Sequence, residues 1–293
     1  MKTFLADAIE TIATDIPGAE GIAIANDGRI FIGAEDGWIY VISREGEISQ
    51  FAKTPGRPLG IAIDKQSNLF VCDWDAHGVY KVTASRDVSL FADPDADGIH
   101  KMQFPNFCVF DDQGNLYVTD TGTSRRNAQI YNPDGKIFQI SPTGQCELFA
   151  DGLYQANGLA MRQGESALYV IQTAVDNVLR LEIKADGHLG KSRVYASNLD
   201  GLPDGMAFTE DGDLLVVTGL HEIIYRVRPN GMTDIFLEDK NAEKLIAPAN
   251  PAFGGTDLDE LYITNLVGNS VSRVKGVPRG QALYHQKHDS PRI

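Results

Sequence analysis

The sequence predicts an all-β fold: a six-bladed β-propeller with four antiparallel strands per blade. Two observations carry this reading. A hairpin-like segment recurs six times along the chain, and most copies are followed by two further strand-like runs. A third observation removes the main competitor, because no stretch shows long helical amphipathic periodicity.

The six hairpin segments read "EGIAIANDGRIFIGA", "LGIAIDKQSNLFVCD", "NFCVFDDQGNLYVTD", "NGLAMRQGESALYVIQ", "DGMAFTEDGDLLVVT" and "NPAFGGTDLDELYITN". They begin at Glu20, Leu59, Asn106, Asn157, Asp204 and Asn250. Each has a short alternating strand, a turn rich in Asp, Gly and Asn, and a second strand. "WIYVIS" then "EISQFA", and "KIFQIS" then "CELFA", are examples of the outer pairs. A period of 39 to 51 residues suits four-stranded blades. Six such units take up nearly all of one domain, 1–293, with no linker rich in Pro, Gly or Ser. The ring must close, or a sheet edge stays unpaired. Two segments compete for that role: residues 10–16, "ETIATDI", and 281–285, "QALYH".

Composition excludes several partners. The formal net charge of −14 repels a phosphate backbone, so nucleic acid is not expected. No window carries the ~18 apolar residues of a membrane helix, so no membrane partner is expected either. The first 16 residues contain acidic side chains within their apolar stretch, unlike a secretory signal. Cys72, Cys108 and Cys146 lack metal-type spacing and read as buried free thiols. A reducing, cytoplasmic setting is the expectation.

In a propeller, the first strand of each blade lines the central channel. The first position of the six repeats reads Glu20, Leu59, Asn106, Asn157, Asp204, Asn250, and five of these carry a side-chain oxygen. Buried carboxylates are costly unless paired or metal-bound. Calcium takes six to eight oxygens from carboxylates, amide carbonyls and water, which suits this set. Zinc, manganese and magnesium are alternatives, although the column has no His or Cys for a softer ion. The second strands end beside it at Ala34, Asp73, Asp120, Gln172, Thr218 and Asn265. Just beyond lie Trp74, Thr121 and His221. Asp73, Trp74, Thr121, His221, Asn250 and Phe104 are the expected pocket residues.

"PNFCVFDDQGNLYVTD", "NGLAM", "LPDGMAFTEDG" and "NPAFGGTDLDELYITN", in the order Glu20, Asn106, Asn157, Asp204, resemble the regucalcin/gluconolactonase (senescence marker protein) family. The resemblance runs from about residue 20 to 273. It implies a six-bladed propeller with a divalent cation in its channel, and a lactone as the small-molecule substrate. It further implies Glu20, Asn157 and Asp204 as metal ligands, and Asn106 as a fourth ligand or substrate contact. Sugar-lactone members carry an arginine two residues before the first of these asparagines. Here that residue is Phe104, which implies a more apolar pocket and a less hydroxylated lactone or ester.

The expected chemistry is opening of a lactone ring to a hydroxy acid. The cation acts as Lewis acid on the carbonyl, with Asp204, Asn106 and Asp120 as catalytic candidates. Asp204, or a carboxylate beside it such as Asp120, is the expected proton acceptor. Two alternatives use the same residues, a calcium-dependent phosphotriesterase and a non-catalytic calcium-binding propeller; a third is a strictosidine-synthase-like protein, resembled by "RPLGIAIDKQSNLFVCD", a group that often departs from this metal set. Residues 120–136 form a longer connection that reads as a lid carrying Arg125 and Arg126. His100 is a further proton-shuttle candidate. "DPDADGIHKMQF" begins like a calcium loop, but Phe104 replaces its twelfth-position glutamate.

Overall fold

The computed structural model describes residues 3–92, 101–123 and 130–287. Two N-terminal strands, β1 (Phe4–Leu5) and β2 (Ile9–Ala13), precede the repeats. Blade 1 is β3 (Ile22–Ile24), β4 (Ile30–Gly33), β5 (Trp38–Ile42) and β6 (Ile48–Lys53). Blade 2 is β7 (Pro58–Ile63), β8 (Leu69–Asp73), β9 (Gly78–Val82) and β10 (Val88–Ala92). Blade 3 is β11 (Pro105–Phe110), β12 (Leu116–Asp120), β13 (Gly135–Ile140) and β14 (Cys146–Leu153). Blade 4 is β15 (Ala156–Met161), β16 (Ala167–Gln172), β17 (Asn177–Ile183) and β18 (Leu189–Ser197). Blade 5 is β19 (Pro203–Phe208), β20 (Leu214–Thr218), β21 (Ile223–Val227) and β22 (Thr233–Glu238). Blade 6 holds β23 (Pro248–Gly254), β24 (Glu260–Asn265) and β25 (Ser270–Lys275).

The last blade takes its fourth strand from the chain's beginning. β2 pairs antiparallel with β25, in the register Ile9↔Val274, Glu10↔Arg273. The N-terminal segment therefore closes the ring. β1 adds an unanticipated fifth strand to blade 5, parallel to β22. The competing segment "QALYH" forms no blade strand. It lies across the end of the channel where the hairpin turns are, with Gln281 bonded to Phe208 and Met161 and His285 to Ile24.

The core consists of six seams, one between each pair of adjacent blades. This explains why the second strands are apolar on both faces. On β20, Leu214 and Val216 pack toward blade 4, whereas Leu215 and Val217 pack toward blade 6. Strict alternation then distributes one strand between two cores. Cys72, Cys108 and Cys146 are buried thiols outside any disulfide, and all three lie in the seam between blades 2 and 3.

Each inner strand from blade 2 to blade 6 is bulged near its start. Between Pro105 and Cys108 the strand advances three residues while its partner advances two, from Asp120 to Val118. The same shift occurs at Pro58/Ile61, Ala156/Leu159, Pro203/Met206 and Pro248/Pro251. A bulge inserts one residue and re-aims the side chains beside it. It gives the channel-mouth positions their orientation, which unbroken alternation would not.

Candidate functional site

The bulge register aligns Leu59, Asn106, Asn157 and Asp204 with one another. It does not align Asn250 with them. Ala249 holds that place in blade 6, and Asn250 falls one residue later. Hydrogen bonding supports the shift: the Asn250 N–H donates to Thr264 Oγ1, as the Phe107 N–H does to Thr119 Oγ1. Asn250 Nδ2 donates to the Glu20 carbonyl at 3.1 Å, so the side chain pins blade 6 to blade 1. This one-residue slip takes Asn250 out of the aligned column, while its Oδ1, like that of Asn157, is buried without a hydrogen-bond donor among the described residues.

The residue after each aligned position is glycine in blades 2, 4 and 5, and Gly21 follows Glu20 in blade 1. Its reason is steric. A Cβ on Gly158 would lie 2.4 Å from the Asp204 carbonyl oxygen, and one on Gly21 only 1.9 Å from that of Leu59. Neighbouring inner strands approach so closely here that no side chain fits between them. "EG", "LG", "NG" and "DG" thus pair a channel-facing residue with a seam-facing gap.

Glu20, Asn157 and Asp204 come together at this mouth. Asn157 and Glu20 both lie close enough to act on the Asp204 carboxyl, the amide favouring its charged form and the Glu20 charge opposing it. Asn157 Nδ2 also donates to Thr173 Oγ1 at 3.2 Å, which in turn donates to the Pro203 carbonyl. The amide is thereby held with Oδ1 buried and without a hydrogen-bond donor. Asn106 is buried at the equivalent place on β11.

Burial raises the pKa of Asp204 well above the ordinary carboxylate range, and Glu20 raises it further, with Asn157 and Arg57 opposing. Burial also raises that of Glu20, with Arg57 opposing. A buried carboxylate beside a half-buried one, with Arg57 as the nearby guanidinium among the described residues, is short of positive charge. Two acidic oxygen donors and an orphaned amide oxygen fit a hard divalent cation such as calcium.

Sequence reasoning missed Arg57. Its Nη2 lies 2.7 Å from Glu20 Oε2, and its side chain is 29% exposed. Arg57 immediately precedes inner strand β7, as Phe104 precedes β11, and the two carbonyls accept equivalent bonds from the Trp74 and Thr121 N–H groups. The available signal was the offset itself, since Arg57 stands two residues before Leu59 as Phe104 stands two before Asn106.

Phe104 and Trp74, whose backbones belong to the same end of the channel, stack with ring centroids 4.7 Å apart. The other expected pocket residues do different work. Asp73 is fully buried and accepts from the Gly56 and Ala76 N–H groups. Asp120, also fully buried, accepts from those of Gln103, Phe104 and Gly122. Gln172 and Asn265 likewise accept from Tyr154 and Ile246. This rim is a repeated clasp: the end of the second strand grips the loop that delivers the inner strand. Its polarity serves backbone satisfaction, which corrects the pocket role expected for Asp73 and the catalytic role expected for Asp120. Thr121 Oγ1 donates to the Ala156 carbonyl and ties blade 3 to blade 4. His221 is exposed, with Nδ1 3.8 Å from Asp200. His100, Arg125 and Arg126 lie outside the described residues.

Comparison with known proteins bears on this geometry. Residues 39–266 match the SMP-30/Gluconolactonase/LRE-like region, and residues 7–42 match the N-terminal part of strictosidine synthase-like proteins. The protein STRICTOSIDINE SYNTHASE-LIKE 6 of Arabidopsis thaliana is 25% identical over 207 residues, 66% of this chain and 54% of that one. The chain thus spans about half of that relative's length. Diisopropyl-fluorophosphatase of Loligo vulgaris is 27% identical, with 70% and 73% covered. Gluconolactonase of Zymomonas mobilis is 28% identical, with 70% and 66% covered. A calcium-binding protein, regucalcin, of Agrobacterium tumefaciens shares the fold at a TM-score of 0.77 and 16% identity, over 97% of this chain and 99% of that one.

Proposed function

The chain belongs to the SMP-30/gluconolactonase/LRE-like family, and from that premise we propose that it is a divalent-cation-dependent hydrolase that opens a lactone or related ester to a hydroxy acid. The carrying observation is the buried Asn157 Oδ1 that lacks a donor, set beside Asp204 and near Glu20. Glu20, Asn157 and Asp204 would hold the cation, most readily calcium, and Asn106 would complete the protein's share of oxygens. When bound, such an ion polarises a carbonyl and stabilises the oxyanion that forms as the ring opens.

The chain's own residues supply the rest. The Asn157 amide favours the charged form of Asp204, and Thr173 fixes that amide. Asp204 is the proton acceptor for the attacking water, because Asp120 is committed to three backbone donors. Trp74 and Phe104 present an apolar surface to the acyl portion and restrict water on that side. The likeness to gluconolactonase favours a lactone. The likeness to diisopropyl-fluorophosphatase makes a phosphotriester the second substrate class to assay.

The test is a panel of lactones, aryl esters and a phosphotriester, assayed with chelator and then with calcium, zinc, manganese or magnesium restored. Cation-dependent ring opening, abolished in Asp204→Asn, is the expected result. Cation-dependent thermal stability with no turnover of any ester would overturn it in favour of a calcium-binding propeller.

A further inference from the structure

We propose that Arg57 is a specificity-determining residue that receives an anionic group of the substrate, a carboxylate carried by the lactone or ester. The inference rests on the hydrolase reading above and adds the substrate's charge to it.

Position is the first argument. Arg57 sits in the ring of residues that immediately precede the inner strands, at the end of the channel where Glu20, Asn157 and Asp204 meet. Its loop is firmly held: Asp73 accepts the Gly56 N–H at 2.9 Å, Trp74 N–H donates to the Arg57 carbonyl, and Pro58 starts β7. The side chain therefore projects from a fixed root, one that is bonded to the Trp74 backbone.

Donor arithmetic is the second. A guanidinium offers five N–H donors in a planar fork. One nitrogen, Nη2, is engaged with Glu20 at 2.7 Å, while Nε is buried without a partner among the described residues. A guanidinium with donors to spare suits a two-oxygen acceptor.

Charge is the third. Glu20 and Asp204 together balance a divalent cation. With those carboxylates committed to the ion, the Arg57 charge has lost its neutralising partner, and Glu20 is its ion-pair partner among the described residues. An uncompensated, partly buried guanidinium at the mouth disfavours a second cation and favours an anion. The substrate this site selects has an apolar portion for Trp74 and Phe104, an ester carbonyl for the ion, and a carboxylate for Arg57.

The experiment compares a five-membered lactone bearing a free carboxylate with the same lactone capped as its methyl amide. The calcium-loaded wild type should favour the carboxylate form at least tenfold in kcat/KM. Arg57→Gln should bring the two forms to within about twofold, and Arg57→Lys should keep part of the preference. Calorimetric titration of calcium into the metal-stripped proteins supplies a readout independent of turnover. Arg57→Gln should bind calcium several-fold more tightly, because no guanidinium competes for Glu20. Equal substrate preference in wild type and Arg57→Gln overturns the assignment, and an unchanged calcium affinity overturns the exchange at Glu20. Should neither lactone be turned over although calcium binds, the hydrolase reading fails. Calorimetric binding of the two lactones to the loaded protein then decides the role of Arg57 on the same criterion.

Discussion

Gly158 and Asn157 divide one task between two adjacent residues. The glycine allows two inner strands to touch, and the asparagine then faces the channel. Gly158→Ala would bring Cβ to 2.4 Å from the Asp204 carbonyl oxygen. Backbone lies in the way, so the strands must part. We expect a loss of about 1–3 kcal/mol, typical of overpacking, and weaker cation binding in the same variant, read by thermal denaturation and calorimetry. Asn157→Ala removes the donor-free oxygen instead, and should lower calcium affinity at least tenfold. Asn250 Oδ1 is likewise without a donor among the described residues but stands off the aligned column, so Asn250→Ala is the contrasting variant. It deletes a pin to the Glu20 carbonyl and should cost about 1 kcal/mol of stability, with far less effect on calcium affinity. Calcium titrations of the two variants side by side would expose an error in the one-residue register assigned to blade 6.

Among the elements, the clasp and the C-terminal segment set how rigid the site is. Asp120 satisfies three backbone N–H groups, those of Gln103 and Phe104 in the loop leading into blade 3 and that of Gly122 just after β12. Asp120→Ala leaves those donors without a partner in a buried place, a cost of about 1–3 kcal/mol for each that water cannot reach. The expected result is a marked fall in melting temperature; a variant of wild-type stability would refute the clasp. The segment across the other channel end carries buried His285, whose Nε2 lies 2.9 Å from the Ile24 carbonyl oxygen. Burial lowers its pKa from 6.5, opposed by that carbonyl bond and by Asp64. The unfolded chain then binds the proton more readily than the folded one. Stability contributed by neutral His285 is full above pH 6.5, falls as pH drops below it, and levels off under the lowered folded value. Melting temperatures measured between pH 7.5 and 5 should fall more steeply for the wild type than for His285→Gln.

Across the whole molecule, closure and cation binding are linked through the ring. β2 is the outer strand of blade 6 and comes from the opposite end of the chain from β25. Blade 1 follows directly from β2, and Glu20 of that segment is gripped by Asn250 and Thr264 of blade 6. One ligand candidate therefore stands at the closing seam, whereas Asn157 and Asp204 stand in blades 4 and 5. An ion held by all three bridges the ring across its channel. A ligand bound only by the folded state stabilises it by about 2.7 kcal/mol at a hundred times its Kd. Calcium should accordingly raise the melting temperature and chelator should reverse the rise, with the shift nearly absent in Asp204→Asn. The net charge of −14 adds a general attraction for cations, which salt should weaken without removing the specific effect.

Blade number, hairpin positions and the convergence of Glu20, Asn157 and Asp204 were legible in the amino-acid order, because a repeat writes the same local chemistry at each of its copies. Equivalent positions of a ring must then face one axis. What the order left open depends on single-residue register and on contacts between blades. Asn250 resembles its counterparts in type, yet a bulge places Ala249 where it was expected. Asp73 and Asp120 look like pocket acids, yet backbone donors from the preceding loop consume them. β2 and the "QALYH" segment were rival closures until pairing with β25 took one and the channel end took the other. Arg57 belongs to a repeat whose aligned position is an unremarkable leucine, so only tertiary structure brings its guanidinium to Glu20. Local sequence specifies which backbone each residue can adopt, but bulges and seams between distant blades determine where its side chain is spent.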